Sequence, residues 1–453
     1  MIVNLIHTDS HDDTILLPKA INQNLSSISF GHNKIPCTFV HQENHVNTIL
    51  LPRHLTEKLN LPISVEKVMI HAHHHHLIIG PLIGIFTAGF TQSMLRPIGE
   101  RSMVFAKYIT SAYELGIVCF VFGMHQINWD DKTVEGWFFS HIGWEKATLP
   151  LPNVIYDRLP NRKLEKHGPI LQVKERLINE FNTPWFNNAF FNKWEIHEIL
   201  KQENETAIFL PETYLQPTFE LIDQLVKQYS IVYIKPINGS LGLSVYQLMY
   251  SEQEQAYYCR FRDHHKQNRL IKSEKLSKIQ HSLFKNKDMD QFLVQQGIKL
   301  IRINQRTVDF RVHTNRNEDG VWEVTAIAAK VSGKGSVTTH INNGGEIYTL
   351  EEIFPSNSKQ IRYLLNEAAL QISQGIEHSF EGTVGEIGFD FGIDQLGKIW
   401  LFEANSRPGR SIFTHPSLKH EEKQTRYGFA KFSIYLLKKS FTPSKDGLYE
   451  VNR

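Results

Sequence analysis

The chain has 453 residues, enough for two or three domains, and its 41% hydrophobic and 21% charged content is that of an ordinary soluble globular protein. Lysine plus arginine number 49 against 47 for aspartate plus glutamate, a balance that excludes a global field for nucleic acid. Three scattered cysteines, Cys37, Cys119 and Cys259, exclude a disulfide framework and a thiolate metal site, and no stretch has the form of an export signal or a bilayer span, so a cytoplasmic place without membrane insertion is expected.

In chain order, the first feature is a repeat. TILLP occupies 14–18 and again 48–52, each copy followed by a basic residue and a short helix-like run, KAINQNL and RHLTEKLNL. Two units of about 34 residues with strands around the LLP run predict one small duplicated β domain over residues 1–77, a compact barrel with pseudo-twofold symmetry. At its end lies HAHHHH, 71–76, where a strand would put His71, His73 and His75 on one face. No neighbouring Cys, Asp or Glu closes a site there, so no physiological metal is assigned to it. Next come the apolar run LIIGPLIGIF (77–86), a helical segment from Glu100 to Leu115, GIVCFVFG (116–123) and NVIYDRLP (153–160), a strand, helix, strand order that predicts a small parallel α/β unit. Helical periodicity returns at 171–182, 215–229 and 358–379, with strands such as IVYIKPI and FLVQQGI between them. A last helix, about 418–438, carries mixed charges that read as a solvated face.

The chemical motifs fall in the second half. In IVYIKPINGSLGLSVYQL, Lys235 ends a strand and Gly239, Ser240 and Gly242 form a small-residue loop; such a loop can lie over phosphates, or be a plain glycine-containing hairpin. FLVQQGIKL runs into Gln295 and Gln296, whose backbone groups can meet an adenine edge. TVDFRVHTN puts Asp309 and Arg311 on one face of a strand, and AAKVSGKGSVTTHINNGGE offers Lys330, His340, Asn342 and the pair Gly344 and Gly345. In FDFGIDQLGKIWLFEAN, strand parity turns Asp390 away from Phe389 and Phe391, and places Leu401, Glu403 and Asn405 opposite Trp400, Phe402 and Ala404. Paired as a hairpin, the strands bring Asp390, Glu403 and Asn405 to one end of one face. Two carboxylates and an amide oxygen are hard ligands suited to Mg²⁺; the alternative is an edge hairpin with a wet polar face.

Taken in this order, the pieces resemble the ATP-grasp superfamily from about residue 165 to 440. The resemblance narrows to the YheC/YheD family of endospore-coat-associated ATP-grasp proteins through GPLIGIF, KPINGSLG, DFRVHT, NNGGE, GFDFGID and FEANSRPGR, which span nearly the whole chain. It implies a multidomain α/β and α+β fold: the duplicated, barrel-like β domain (1–77), an α/β pre-ATP-grasp domain (78–164), a two-lobed ATP-grasp domain (165–440) and a C-terminal tail (441–453). It also implies dependence on ATP and Mg²⁺, with Mn²⁺ as an alternative ion, and a carboxylate–amine ligase reaction through an acyl phosphate, the acid and the amine unknown. On this resemblance Asp390, Glu403 and Asn405 hold the metal, Lys235 and Lys174 contact the α and β phosphates beneath the Gly239, Ser240 and Gly242 loop, and Gln295, Gln296 and Ile298 line the adenine hinge. Arg311 and Lys330 face the transferring phosphoryl group.

Two positions depart from relatives that join amino acids to a protein C-terminus: Lys330 stands where arginine is usual and His340 where asparagine is. The implied partners are ATP, the two substrates and proteins of the spore coat. A phosphotransferase or nucleotide-binding protein without ligase activity, and a coat-assembly scaffold, are the alternative readings. No nucleotide-site residue falls within 1–77, so residues 78–453 are expected to bind nucleotide alone.

Overall fold

The computed structural model describes residues 1–21, 24–42, 47–238, 244–265, 267–333, 336, 339 and 344–441. The first eight strands, from Ile2–Thr8 to His76–Ile79, form one sheet. Its two TILLP strands, Thr14–Pro18 and Thr48–Pro52, share one burial pattern and lie antiparallel with Leu16 opposite Leu50. Each also has a parallel neighbour, Thr38–Gln42 for the first and Ile2–Thr8 for the second. Equivalent positions of the two repeats thus meet, as a local twofold axis requires. The sheet's edge strands, Asn33–Pro36 and Thr38–Gln42, are joined through Cys37 alone, so the sheet curls until its ends approach. Among the described residues no ladder joins those two ends.

The histidine run does not continue as one strand. Lys67–His73 turns at His74, which has φ 53°, and returns as His76–Ile79 with His73 opposite His76. That splits His75 from the face of His71 and His73. Two of the rings have local partners: His75 Nδ1 lies 2.6 Å from the Asn24 carbonyl, and the two nitrogens of His76 lie 2.9 Å from Ser27 Oγ and Ser29 Oγ. Burial pulls His71 down to about 4, which leaves it neutral.

Residues 77–86 read as one apolar run but serve two sheets. His76–Ile79 closes the first sheet, and after Gly80–Pro81 the strand Ile83–Phe86 opens the second. There Ile83–Phe86, Cys119–Phe122, Val154–Asp157 and Trp185–Phe186 are parallel, with the helix Ser102–Glu114 packed beside them. An antiparallel hairpin, Thr133–Ser140 with Gly143–Pro150, extends the sheet and was not foreseen. The two sheets share one core: Ile15, Ile28 and Leu51 from the first join Leu82, Phe86, Phe122 and Trp185 of the second. This argues against the expected independence of residues 78–453, because removing the first sheet would strip half of that core.

The third sheet runs Thr213–Leu215, Phe292–Gln296, Ile231–Pro236, Tyr246–Ser251, Ala256–Arg262, Asn268–Ser273, with Ile222, Leu225 and Val226 of the helix Phe219–Tyr229 packed on Val232, Ile234 and Leu248. The fourth runs Glu346–Tyr348, Trp322–Val331, Arg306–Arg316, Glu386–Ile393, Ile399–Asn405. One of its faces, with Val308, Phe310, Val312, Phe389 and Phe391, is sealed by Leu365, Ala369, Ile372 and Ile376 of the helix Ser358–Ser379. The last helix, Lys419–Ser440, is not mainly solvated: Phe429, Ala430, Phe432, Ile434 and Leu436 enter the core that holds Tyr108, Tyr156 and Phe186. It ties the fourth sheet to the second. Among the described residues no helix is long and apolar enough to cross a membrane.

Candidate functional site

With one face of the fourth sheet sealed by a helix, its polar residues collect on the other. Arg311 lies opposite Asp390, and Asp390 opposite Glu403; two residues along, Gly388 lies opposite Asn405. On the far side of Arg306–Arg316, Asp309 lies opposite Lys330. Arg311, Lys330, Asp390, Glu403 and Asn405, five of the residues singled out in the sequence, therefore share one surface, and Asp309 belongs with them.

Each of these carboxylates is neutralised by a cation of the protein itself. Arg311 grips Asp390 with two bonds of 3.0 Å, and Lys330 Nζ sits 2.7 Å from Asp390 and 2.9 Å from Asp309, which also accepts from Thr339 Oγ1. Burial alone would push the Asp390 carboxyl up, but Arg311 and Lys330 outweigh it and hold it well below the usual carboxylate range. Glu403 is met by Lys193 at 3.0 Å.

Strand parity misplaces one residue. The ladder slips between Asp390 and Phe391, so Asp390 faces Glu403 while Phe391 already faces Leu401. Phe402 is the extra residue of a β-bulge. Leu401 consequently goes to the sealed core face rather than beside Glu403, and the Phe402 ring lies within 5.9 Å of Lys235 Nζ. Gly392 makes room: a Cβ there would lie 2.5 Å from the Phe402 ring.

Facing this surface is the end of the third sheet. Lys193, His197, Thr213, Lys235, Gln295, Phe402 and Glu403 line a cleft with a free volume of only about 40 Å³. Lys235 donates to Gln295 Oε1 at 2.6 Å, and Gln295 Nε2 donates to Thr213 Oγ1 at 3.1 Å. Burial outweighs the pull of Glu403 and brings Lys235 down to about 8. Gln296 and Gly297 give their N–H groups to Glu212 and Ile231, which leaves Ile298, half-buried, just past the strand's end. Gly239, Ser240, Gly242, His340 and Asn342 lie outside the described residues.

Lys174 is not brought to this cleft. Its ammonium lies 2.6 Å from Asp157 and donates to the Asn188 carbonyl at 2.8 Å, in a buried group with Trp185 and Arg407. Lys193, which sequence reasoning missed, stands in the cleft beside Glu403. Its one sequence signal is Asn192 before it: that side chain caps the helix Lys193–Lys201 and so fixes where the lysine begins.

The donor set fits a hard divalent ion. Among the described residues no group of three or more His, Cys, Asp or Glu side chains converges as a metal cage. Mg²⁺ does not require one, since one or two carboxylates with substrate phosphates suffice.

A family model for YheC/D-like ATP-grasp proteins matches residues 182–436, more than half of the chain. The chain belongs to the YheC/D-like ATP-grasp family. It is similar to endospore coat-associated protein YheD of Bacillus subtilis (strain 168), 45% identical over 435 residues and 95% of each chain. Endospore coat-associated protein YheC of the same strain is 23% identical over 344 residues, 75% of this chain and 93% of that one. Among solved structures, D-alanyl-alanine synthetase A from Vibrio cholerae O1 biovar eltor str. N16961 is similar over 80% of this chain and 98% of that one, at 14% identity and a TM-score of 0.45. Both lobes of the cleft, from Lys193 to Asn405, fall inside the matched family segment.

Proposed function

We propose that this YheC/D-like ATP-grasp protein is an ATP- and Mg²⁺-dependent carboxylate–amine ligase working through an acyl phosphate. The observation that carries the reading is the make-up of the cleft: Lys235 from the third sheet faces Glu403 and its partner Lys193 on the side of the fourth, where Asp390, opposite Glu403, is held by Arg311 and Lys330. Lys193 and Lys235 would take the phosphates already present in ATP, and Gln295, Gln296 and Ile298 the adenine. Asp390, Glu403 and Asn405 would hold Mg²⁺, which when bound neutralises phosphate charge and aligns the γ-phosphoryl group.

Arg311 and Lys330, whose charge Asp390 and Asp309 neutralise, would face the oxygens that gain charge as a carboxylate attacks phosphorus, where fixed positive charge lowers the barrier. The amine displaces phosphate from the acyl phosphate, so no protein nucleophile is needed. The carried-over setting is that of the relatives' names, association with the endospore coat. The test is incubation with Mg·ATP and pools of amino acids and small acids, with ADP release followed. Release stimulated by a particular acid and amine supports the reading; ADP release that no pool alters would leave a nucleotide-binding protein or a coat scaffold.

A further inference from the structure

The first sheet holds an open groove that lies outside the nucleotide cleft. Its volume is about 430 Å³, and Met1, Ile21, Ile70, His71, Ala72 and Leu77 line it. The walls are largely apolar, since Ile21, Ile70 and Leu77 belong to the core shared by the first two sheets. The groove follows from strands that stop at different places. Lys67–His73 pairs with Ile2–Thr8 only through Lys67, Val68 and Met69, but with His76–Ile79 as far as His73.

The backbone along this groove is unfinished. The Ile70 N–H donates to the Met1 carbonyl at 2.8 Å, and the Ile70 carbonyl accepts from the Met1 nitrogen at 3.1 Å, so both groups point to the side of Ile2–Thr8. These groups alternate sides along a strand with a period of two, so the N–H and C=O of Ala72 point the same way, past the last pair with the neighbouring strand. Neither has a partner among the described residues. His71 Nε2 is buried at the same place and is likewise unpartnered among them. Buried backbone groups are seldom left unpaired. An open strand edge above apolar walls is what an extended peptide completes, its main chain extending the ladder and alternate side chains filling the pocket.

The course of the chain points to the occupant. The last helix, Lys419–Ser440, ends beside this groove: Phe441 stacks on His73 with ring centroids 5.1 Å apart, and the charge of Lys438, in the helix's final turn, acts on His71. Residues 442–453 follow Phe441 and lie outside the described residues. Their twelve residues can span about 40 Å, against the roughly 10 Å needed to run from His73 back to Ile70. In their sequence, LYEV at 448–451 puts Tyr449 and Val451, both strand formers, at one parity.

We infer that this groove is the docking site of the chain's own segment 442–453, which adds LYEV as a short strand beside Ala72, antiparallel to Lys67–His73 and in line with Ile2–Thr8. Docked there, the segment straps the first sheet to the helix that joins the second and fourth.

Hydrogen exchange of the Ala72 amide, read residue by residue in the full chain, tests this against the full-length double variant Tyr449→Asp with Val451→Asp. The amide should be protected in the parent and should exchange about tenfold faster in the variant, the worth of one hydrogen bond. The His71 amide, which by the same alternation faces His76–Ile79, should not change. A synthetic peptide of residues 442–453, followed by fluorescence anisotropy, should bind the variant and be excluded from the parent. An unprotected Ala72 amide in the parent means that the groove holds only water, and equal protection in both chains means that something other than this segment covers it. Protection that falls on dilution of the parent means that a second copy supplies the segment. A peptide that binds the parent as tightly as the variant means that the groove stands open to an extended partner. Each of these four results overturns the assignment.

Discussion

Asp390→Asn keeps the size of the side chain and removes its charge, at a point where the structure makes that charge matter twice. Arg311 and Asp390 are 17% and 15% exposed, and Asp390 accepts two bonds from Arg311 and one from Lys330. After the substitution Lys330 keeps Asp309 at 2.9 Å, but Arg311 loses the carboxylate it faces. Removing one partner of a buried ion pair leaves an uncompensated charge and costs about 3–5 kcal/mol. Urea unfolding should therefore place Asp390→Asn well below the parent. The double variant Asp390→Asn with Arg311→Met should recover part of the loss, because the orphaned cation is gone as well. The same single variant should lose Mg²⁺-dependent nucleotide turnover, since one ligand charge is missing. A stability within about 0.5 kcal/mol of the parent, the range of ordinary surface substitutions, would show that the Arg311, Lys330 and Asp390 cluster is not the closed unit described here.

Lys235 gives a pH dependence. Its pKa lies near 8 in the free protein and phosphate contact requires the charged form, so Mg·ADP affinity should be full below pH 8 and fall by up to tenfold per unit above it. Calorimetry at pH 8.5 in buffers of different ionisation enthalpy should show proton uptake, and affinity flat to pH 10 would contradict the assignment. Lys193→Met should weaken Mg·ADP binding about 10- to 100-fold, the range of a charge-assisted bond, whereas Lys174→Met should lower the melting temperature and leave affinity unchanged. The opposite pattern would return Lys174 to the nucleotide. A chain starting at residue 80 should aggregate or lose its near-ultraviolet circular dichroism, because Leu82, Phe86 and Phe122 lose their cover; a folded, nucleotide-binding product would show the first sheet to be separable.

Much of the site could be read from strand parity, because a period of two is local: Asp309 with Arg311, and Asp390 with Glu403 and Asn405, needed only alternation and a hairpin. The bulge at Phe402 was not legible, since a one-residue slip is set by what lies across the ladder rather than along the strand. Lys193 and Lys174 both sit in short amphipathic helices with similar neighbours, and only the third dimension separates a lysine beside Glu403 from one locked on Asp157. The last helix misled for a related reason. Its charges are real and outward, but its small and aromatic positions, Gly428 to Phe432, are wide enough to fill the junction between two sheets. The run at 77–86 hid a crossing between sheets because both halves are equally apolar.

The ligase mechanism stands or falls on the fate of one oxygen atom. With an acid that stimulates ADP release, labelled with ¹⁸O in its carboxylate, and the amine that completes turnover, the phosphate set free should carry one ¹⁸O, because an acyl phosphate hands that oxygen to phosphorus when the amine displaces it. Unlabelled phosphate from a turnover that nonetheless yields the amide would contradict the acyl-phosphate route.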